Sequence, residues 1–348
     1  MRTRIWALHA PLAILVLCAY AAPLGARLPH TSGASMHANH VAPLPAGAYA
    51  RALWARAQRL GLKRVVLHVG MPLTRPRPGL PAPGLPATGD DAPANPRDDV
   101  EQGRQAARMQ AVQHYVNTNW AGYIVSGKDP RNSARLGKAG FRSVTGVWDI
   151  PRVPVFKHYE VGAWVGMGGF HARNRSRNLL QAGVVSNCGP WYVAPCFFFE
   201  NAPGQPPQPV VGITPAAGDT VAVSVSYLGK GRVTYTFTDV SQTTFGTITE
   251  RDSGVAYDPT SIEGIVEDSG YGYAPFTNTV PFAFVTGVTT SGRYALTQFP
   301  AVVRACVSAP QPDSHQSKVR PANAYVVSPL DAGGGFLVRW SPHASACE

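Results

Sequence analysis

The chain has 348 residues, 45% hydrophobic and only 15% charged, with 35 Gly and 32 Pro, a composition that excludes a disordered chain or a helical bundle and favours many short strands joined by turns. Its net charge of +11 is gathered upstream: the residues before Asn117 carry 13 Lys and Arg against 5 Asp and Glu, and the rest carry 18 against 15. That distribution leaves the folded part without a basic face and excludes a nucleic-acid partner. Residues 1–26 read as a signal peptide. Met1-Arg2-Thr3-Arg4 is cationic, Ile5 to Ala22 is apolar except for His9, and Gly25-Ala26 offers small residues near a cut. An uncleaved anchor is the rival, because the apolar stretch approaches spanning length, but Pro11 and the small-residue exit favour cleavage. Cys18 does not signal lipidation, since Leu17 precedes it where a small residue is needed. The protein is expected to be secreted, to the periplasm or outside the cell.

Residues 27–116 are expected to form a basic, Pro-rich pro-segment and linker. Ala48 to Val69, with Arg51, Trp54, Arg56, Arg59, Lys63 and Arg64, predicts one short basic helix, and Met71 to Arg97 predicts an extended, polyproline-like linker. A plain spacer competes with a segment that is removed through an accessible cut once folding is complete.

From Asn117 the pattern is almost wholly β. Thr118–Val125, Phe141–Ile150 and Ala163–Met167 are rich in aromatic and β-branched residues and bounded by Gly and Pro. Thr220–Tyr227 and Arg232–Thr238 alternate cleanly about Gly229-Lys230-Gly231, which predicts a hairpin. Further strands are expected at Val280–Val288, Ala301–Val307, Tyr325–Val327 and Phe336–Trp340. With no amphipathic helix longer than two turns in view, the expected fold is all-β, one antiparallel two-sheet β-sandwich of the concanavalin A-like or jelly-roll type over residues 117–348. Cys188, Cys196, Cys306 and Cys347 allow three pairings. Cys188 with Cys196 closes a short loop around Gly189-Pro190, and Cys306 with Cys347 would tie down the C-terminus; metal-ligand spacings are missing, so disulfides are expected and no metal.

The common hydrolase and nucleotide signatures are absent, among them Gly-x-Ser-x-Gly, the Walker loop and the zincin motif. Asp252-Ser253-Gly254 and Asp268-Ser269-Gly270 match the tripeptide of two-lobed aspartic peptidases, but 16 residues apart they are too close for two lobes and read as turns. What stands out is polar chemistry inside strands. Gln181 interrupts Asn178–Asn187, and Glu263 and Glu267 interrupt Ser261–Asp268. An isolated Gln in a strand commonly bonds to neighbouring backbone; a Gln and a Glu brought together in a cleft can instead activate water.

Several blocks carry a resemblance: Asn119-Trp120-Ala121-Gly122, Val144-Thr145-Gly146-Val147-Trp148 with Pro151, Ala163-Trp164-Val165-Gly166-Met167-Gly168-Gly169, Leu179-Leu180-Gln181-Ala182-Gly183-Val184, and Ile262-Glu263-Gly264-Ile265-Val266-Glu267-Asp268. In order and approximate spacing they resemble the glutamic peptidase family, the eqolisins, from about Asn117 to Trp340. The resemblance implies an acid-acting endopeptidase on a β-sandwich, made as a signal-bearing zymogen of the bacterial type. Its catalytic pair carries over to Gln181 and Glu263, and it implies polypeptide substrates, a pro-segment acting as intramolecular inhibitor, no cofactor and a monomer. Glu263 would serve as general base and then general acid, and Gln181 as oxyanion donor.

Alternation alone cannot separate Glu263 from Glu267, because 263, 265 and 267 share one side of a strand. Glu200, Trp120 and Trp164 are further candidates for the cleft or its support. Gly264 stands where the family has a Trp, and Asn201, in Phe199-Glu200-Asn201-Ala202-Pro203, replaces another; both changes are expected near the site, where they would alter substrate preference. The competing reading is a non-catalytic exported β-sandwich that binds carbohydrate or a surface.

Overall fold

In the hairpin Thr220–Asp239, Val221, Val223, Val225, Val233, Tyr235 and Phe237 point one way and are buried, whereas Ser224, Ser226, Thr234 and Thr236 are only partly covered. Period-two alternation of this kind fixes which face of a strand turns inward. The structure is a computed structural model that describes residues 59, 61–69, 110–117, 120–137, 140–154, 161–170, 179–188, 194–202, 205–251, 260–268, 279–307 and 324–341. The expected signal peptide, the Pro-rich linker, most of the expected basic helix, both Ser-Gly pairs of the Asp-Ser-Gly tripeptides and Cys347 lie outside the described residues.

Two short strands stand far upstream, β1 (Lys63–Arg64) and β2 (His68–Val69). Next come β3 (Ala111–Asn117), β4 (Trp120–Ser126), β5 (Phe141–Asp149), β6 (Val161–Met167), β7 (Leu179–Cys188), β8 (Ala194–Ala202) and β9 (Gln205–Val211). β10 (Thr220–Gly229), β11 (Arg232–Asp239) and β12 (Thr244–Arg251) form a meander. They are followed by β13 (Ser261–Asp268), β14 (Val280–Thr289), β15 (Arg293–Ala295), β16 (Ala301–Val307), β17 (Ala324–Val327) and β18 (Phe336–Ser341). The first sheet runs β1-β12-β11-β10-β5-β14-β18-β17 with β15 added on β14, and the second runs β2-β9-β8-β7-β6-β13-β4-β16-β3. Pairing is antiparallel except for β1 on β12 and β3 on β16. Among the described residues the longest α-helix is the single turn Ser133–Leu136.

Inward-facing side chains of both sheets form the main core, including Tyr123, Trp148, Val165, Phe197, Phe199, Tyr235, Phe237, Phe282 and Phe336. Phe282 stacks on Phe336 at 4.6 Å, and Phe199 on Tyr235 at 4.8 Å. Each such fully buried side chain contributes about 1.5–3 kcal/mol. Strands β4 and β6 are buried at every residue. The reason is that the outward face of the second sheet is also covered, by a separate cluster of Trp120, Ile124, Trp164, Phe170, Leu179, Phe198 and Ile265.

The two-sheet sandwich, the hairpin and the strands expected after residue 279 all stand as the sequence predicts. The basic helix does not extend to Val69. Arg59 is helical, Gly61 takes φ +80°, and residues 62–69 run extended, because Val65 and Leu67 alternate inward against the main core and their backbone pairs with sheet edges. The second sheet also takes in Ala111–Asn117, upstream of the expected start of the sandwich. Cys188 and Cys196 are joined, with Cα atoms 5.6 Å apart, and Cys306 is buried and disulfide-bonded.

Candidate active site

The sequence-predicted residues converge on the outward face of the second sheet. Glu200 on β8 opposes Gln181 on β7, Gln181 opposes Gly166 on β6, Gly166 opposes Glu263 on β13, and Glu263 opposes Ile124 on β4. Gln181 and Glu263 are therefore two strands apart, roughly 9–10 Å between Cα atoms, with only a glycine between them. A Cβ on Gly166 would stand 2.9 Å from both Leu179 Cδ1 and Trp164 Cζ3 and 3.3 Å from Glu263 Oε2. Leu179 and Trp164 fill the space over Gly166, so that only a residue without a Cβ fits there, and Glu263 borders it.

Gln181 is 2% exposed and Glu263 is fully buried. Gln181 Nε2 donates to Glu200 Oε2 at 2.5 Å, which orients the amide. Its Oε1 and both carboxyl oxygens of Glu263 have no hydrogen-bond partner among the described residues. Buried polar atoms left this way cost about 1–3 kcal/mol each; they also occur elsewhere in the sandwich, at the Trp148 and Trp340 indoles and at Asp239 Oδ2, but in the Gln181 row they face each other across one glycine. Burial pushes the Glu263 carboxyl up to about 8. The Ser261 hydroxyl, two residues back on the same face, opposes this weakly without closing a hydrogen bond.

Glu267 lies four residues further along β13, opposite Gly162 and Trp120 rather than in the Gln181 row. It accepts the indole N–H of Trp164 at 2.9 Å. Trp164 lies against Gly183, where a Cβ would come 2.5 Å from the Trp164 Cβ, and meets Trp120 edge-on at 5.1 Å. Both Trp residues share the face of the Gln181 row but are buried as packing. Sequence reasoning missed Gly166 and Gly183 as positions that shape this row; their signal is glycine two residues after Trp164 on β6 and glycine opposite Trp164 on β7. It also missed Phe170, which covers this face and meets Tyr115 edge-on at 5.5 Å.

The two family departures are not in the site. A Cβ on Gly264 would point to Val285 Cγ2 at 2.6 Å and to Phe336 beyond it, inside the main core. Asn201 accepts a hydrogen bond from the Tyr235 hydroxyl of the other sheet and donates to Gln205 Oε1 at 3.2 Å. Alternation puts both on the inward face, so they bear on how the sheets pack and leave the row of Gln181 and Glu263 untouched.

A buried carboxyl raised by its surroundings and an oriented amide, on either side of Gly166 in a β-sandwich, are groups that acid–base hydrolysis can use. The sequence profile of the Peptidase A4 family matches residues 118–308, and the chain belongs to that family, the eqolisins or glutamic peptidases. This decides for a peptidase acting on polypeptides and against a carbohydrate- or surface-binding module. Among solved structures, scytalido-glutamic peptidase with a transition-state analogue inhibitor aligns with 65% of this chain and 99% of its own, at 18% identity and a TM-score of 0.50. SCP-B, an eqolisin in complex with the tripeptide Ala-Ile-His, aligns over 65% and 99% at 16% identity and TM-score 0.46. Aspergilloglutamic peptidase from Aspergillus niger aligns over 53% and 100% at 20% identity and TM-score 0.37. At these identities the likeness concerns the fold. No curated protein sequence matches the chain.

Proposed function

We propose that the chain is the secreted precursor of an acid-acting endopeptidase whose catalytic pair is Gln181 and Glu263. The observation that carries this reading is their shared row across Gly166, with buried polar atoms on both sides that have no partner among the described residues. In the closed site Glu263 holds its proton. Water and a peptide reaching the pair restore solvation and bring the carboxyl back toward 4.5, so that a fraction is ionised in acid. The carboxylate then takes a proton from that water as the oxygen attacks the scissile carbonyl carbon. Charge develops on the carbonyl oxygen, which accepts the second N–H of Gln181 Nε2, the first being held by Glu200. As the C–N bond breaks, Glu263 returns the proton to the leaving nitrogen. Glu267, engaged by Trp164, holds the wall of the site.

In the same reading, residues 1–26 export the chain, the basic segment 27–116 keeps the precursor inactive until it is cut, and the mature enzyme works as a monomer. The test is incubation of the purified precursor at roughly pH 3–4, where a carboxyl-based site would operate. We expect self-cleavage upstream of Asn117 and digestion of a denatured protein, both insensitive to pepstatin and to chelators. If Glu263→Gln digests as fast as the unaltered enzyme, the assignment is wrong.

A further inference from the structure

On one side of the sandwich both sheets would end in open edges, at β12 and β9, and one short segment closes both. Leu62 packs on the outer face of the first sheet beside Val147, Ala222, Val240 and Ala283. Lys63 and Val65 donate their amides to the carbonyls of Thr243 and Phe245, each at 2.8 Å, adding β1 to β12. Val65 and Leu67 then turn into the seam and pack on the main core, and His68-Val69 pairs with Val211-Val210 on β9. Pro206, Pro207 and Pro209 lack donors, so Val210 and Val211 are the part of β9 best able to pair.

The body of the sandwich is shaped for this segment. A Cβ on Gly246 of β12 would stand 2.4 Å from Leu67 Cγ, and one on Gly212 would stand 2.5 Å from the Val66 carbonyl oxygen. Any larger residue at Gly246 forces the Leu67 side chain or the strand beneath it to shift. Val66, pointing outward, is 75% exposed. The segment also lies on the rim: β2, β9, β8 and β7 follow one another, so β2 is three strands, about 14 Å, from the strand of Gln181.

We infer that residues 61–69 are a permanent strap of the mature enzyme, held across the seam by β-pairing and by Leu67 in the Gly246 notch, and retained as a separate, non-covalently bound chain once the linker after them is cut. Segments upstream of the sandwich thus do different jobs, and this one seals the core and both edges rather than blocking the site. The inference rests on the proposed cutting of the linker, but the contacts do not.

The test therefore supplies its own cut. A recognition sequence for a site-specific peptidase replaces residues 89–94 in the full chain, the protein is cleaved near neutral pH, and gel filtration with mass spectrometry follows the upstream fragment. The fragment should co-elute with the sandwich, and Leu67→Asp should lower the retained share roughly tenfold or more, as expected for a charge placed in the seam. Val66→Asp, at an exposed position, should leave retention unchanged. Release of the unaltered fragment, or equal retention by Leu67→Asp and Val66→Asp, overturns the strap. Hydrogen exchange on the uncut chain gives a second reading, independent of how the variants fold. The amides of Lys63 and Val65 should exchange about a hundredfold or more slowly than in a free peptide, and exchange at the free-peptide rate overturns the strap as well. Neither measurement reads peptidase activity, so the strap can fail while the catalytic pair stands, and the reverse.

Discussion

Glu263 is the residue where fold and chemistry oppose each other most directly. Its carboxyl is raised to about 8 by burial, so the folded chain binds that proton more tightly than the unfolded one does. This favours folding below the unfolded value, near 4.5, and the benefit is lost as pH climbs toward 8. Glu263→Gln removes the titrating group, and with it the cost of keeping it protonated above pH 4.5, without removing volume. It should abolish peptide hydrolysis yet raise stability at pH 7.5 by roughly 2–4 kcal/mol, with no gain at pH 3.5. Urea unfolding of variant and parent at the two pH values checks the crossover. Gln181→Ala removes the proposed oxyanion donor and should lower kcat about 10²–10³-fold, with folding retained; steady-state kinetics on a denatured protein substrate, beside a circular dichroism melt, measures both. Gln181 and Glu263 were legible because polar residues interrupt apolar strands. Alternation did not separate Glu263 from Glu267, since both share one side of β13; the family resemblance pointed to Glu263, and pairing with β6 puts Glu263 rather than Glu267 in the Gln181 row.

At the level of elements, β6 controls the site through what it lacks. Gly166→Val drives a branched side chain against Leu179 and Trp164, 2.9 Å from each already at the Cβ, and 3.3 Å from Glu263 Oε2. Activity should fall at least about a hundredfold, as misplacement of reacting groups does, and loss of kcat without displacement of the amide resonances of β10 and β11 would separate a disturbed row from a broken fold. The β7–β8 turn is held by Cys188–Cys196. Replacing both with Ser should cost about 2–3 kcal/mol by loop-closure entropy, read as a lower urea midpoint. Strands with clean alternation, such as Thr220–Gly229, were visible in the sequence. β9 was not, because Gln-Pro-Pro-Gln-Pro lacks the donors and the pattern of a strand, and it is tolerated only next to the rim. β1 and β2 were hidden for another reason: two-residue strands have no period, and cationic residues around them suggested a helix that tertiary pairing overrides.

For the molecule as a whole, several buried acids lean the same way. Burial, with Asp219 beside it, pushes Asp239 up to about 6, and burial raises Asp149 against a hydrogen bond from Thr220. Together with Glu263 they favour the folded state in acid and withdraw that support as pH rises through 6 and then 8. Asp129, held low by Arg131, works in the opposite sense but is solvent-screened and weighs little. The melting temperature should therefore fall between pH 4 and pH 8; calorimetry showing a flat or rising trend would remove the buried acids as the cause. The two-layer architecture was readable from composition and alternation, whereas the closing of one side by residues 61–69 was not, because no local pattern announces a contact with strands more than 140 residues away. Strands β8, β7, β6 and β13 place the row of Glu200, Gln181, Gly166 and Glu263 on one parity of their residues and the contact with the opposing sheet on the other. Gly264 and Asn201, the visible departures from the family pattern, both fall on the second, inward parity. These strands are thus like two interleaved texts: libraries that vary the inward parity alone should alter robustness, and libraries that vary the outward parity alone should alter the row of Gln181 and Glu263, without rewriting the other.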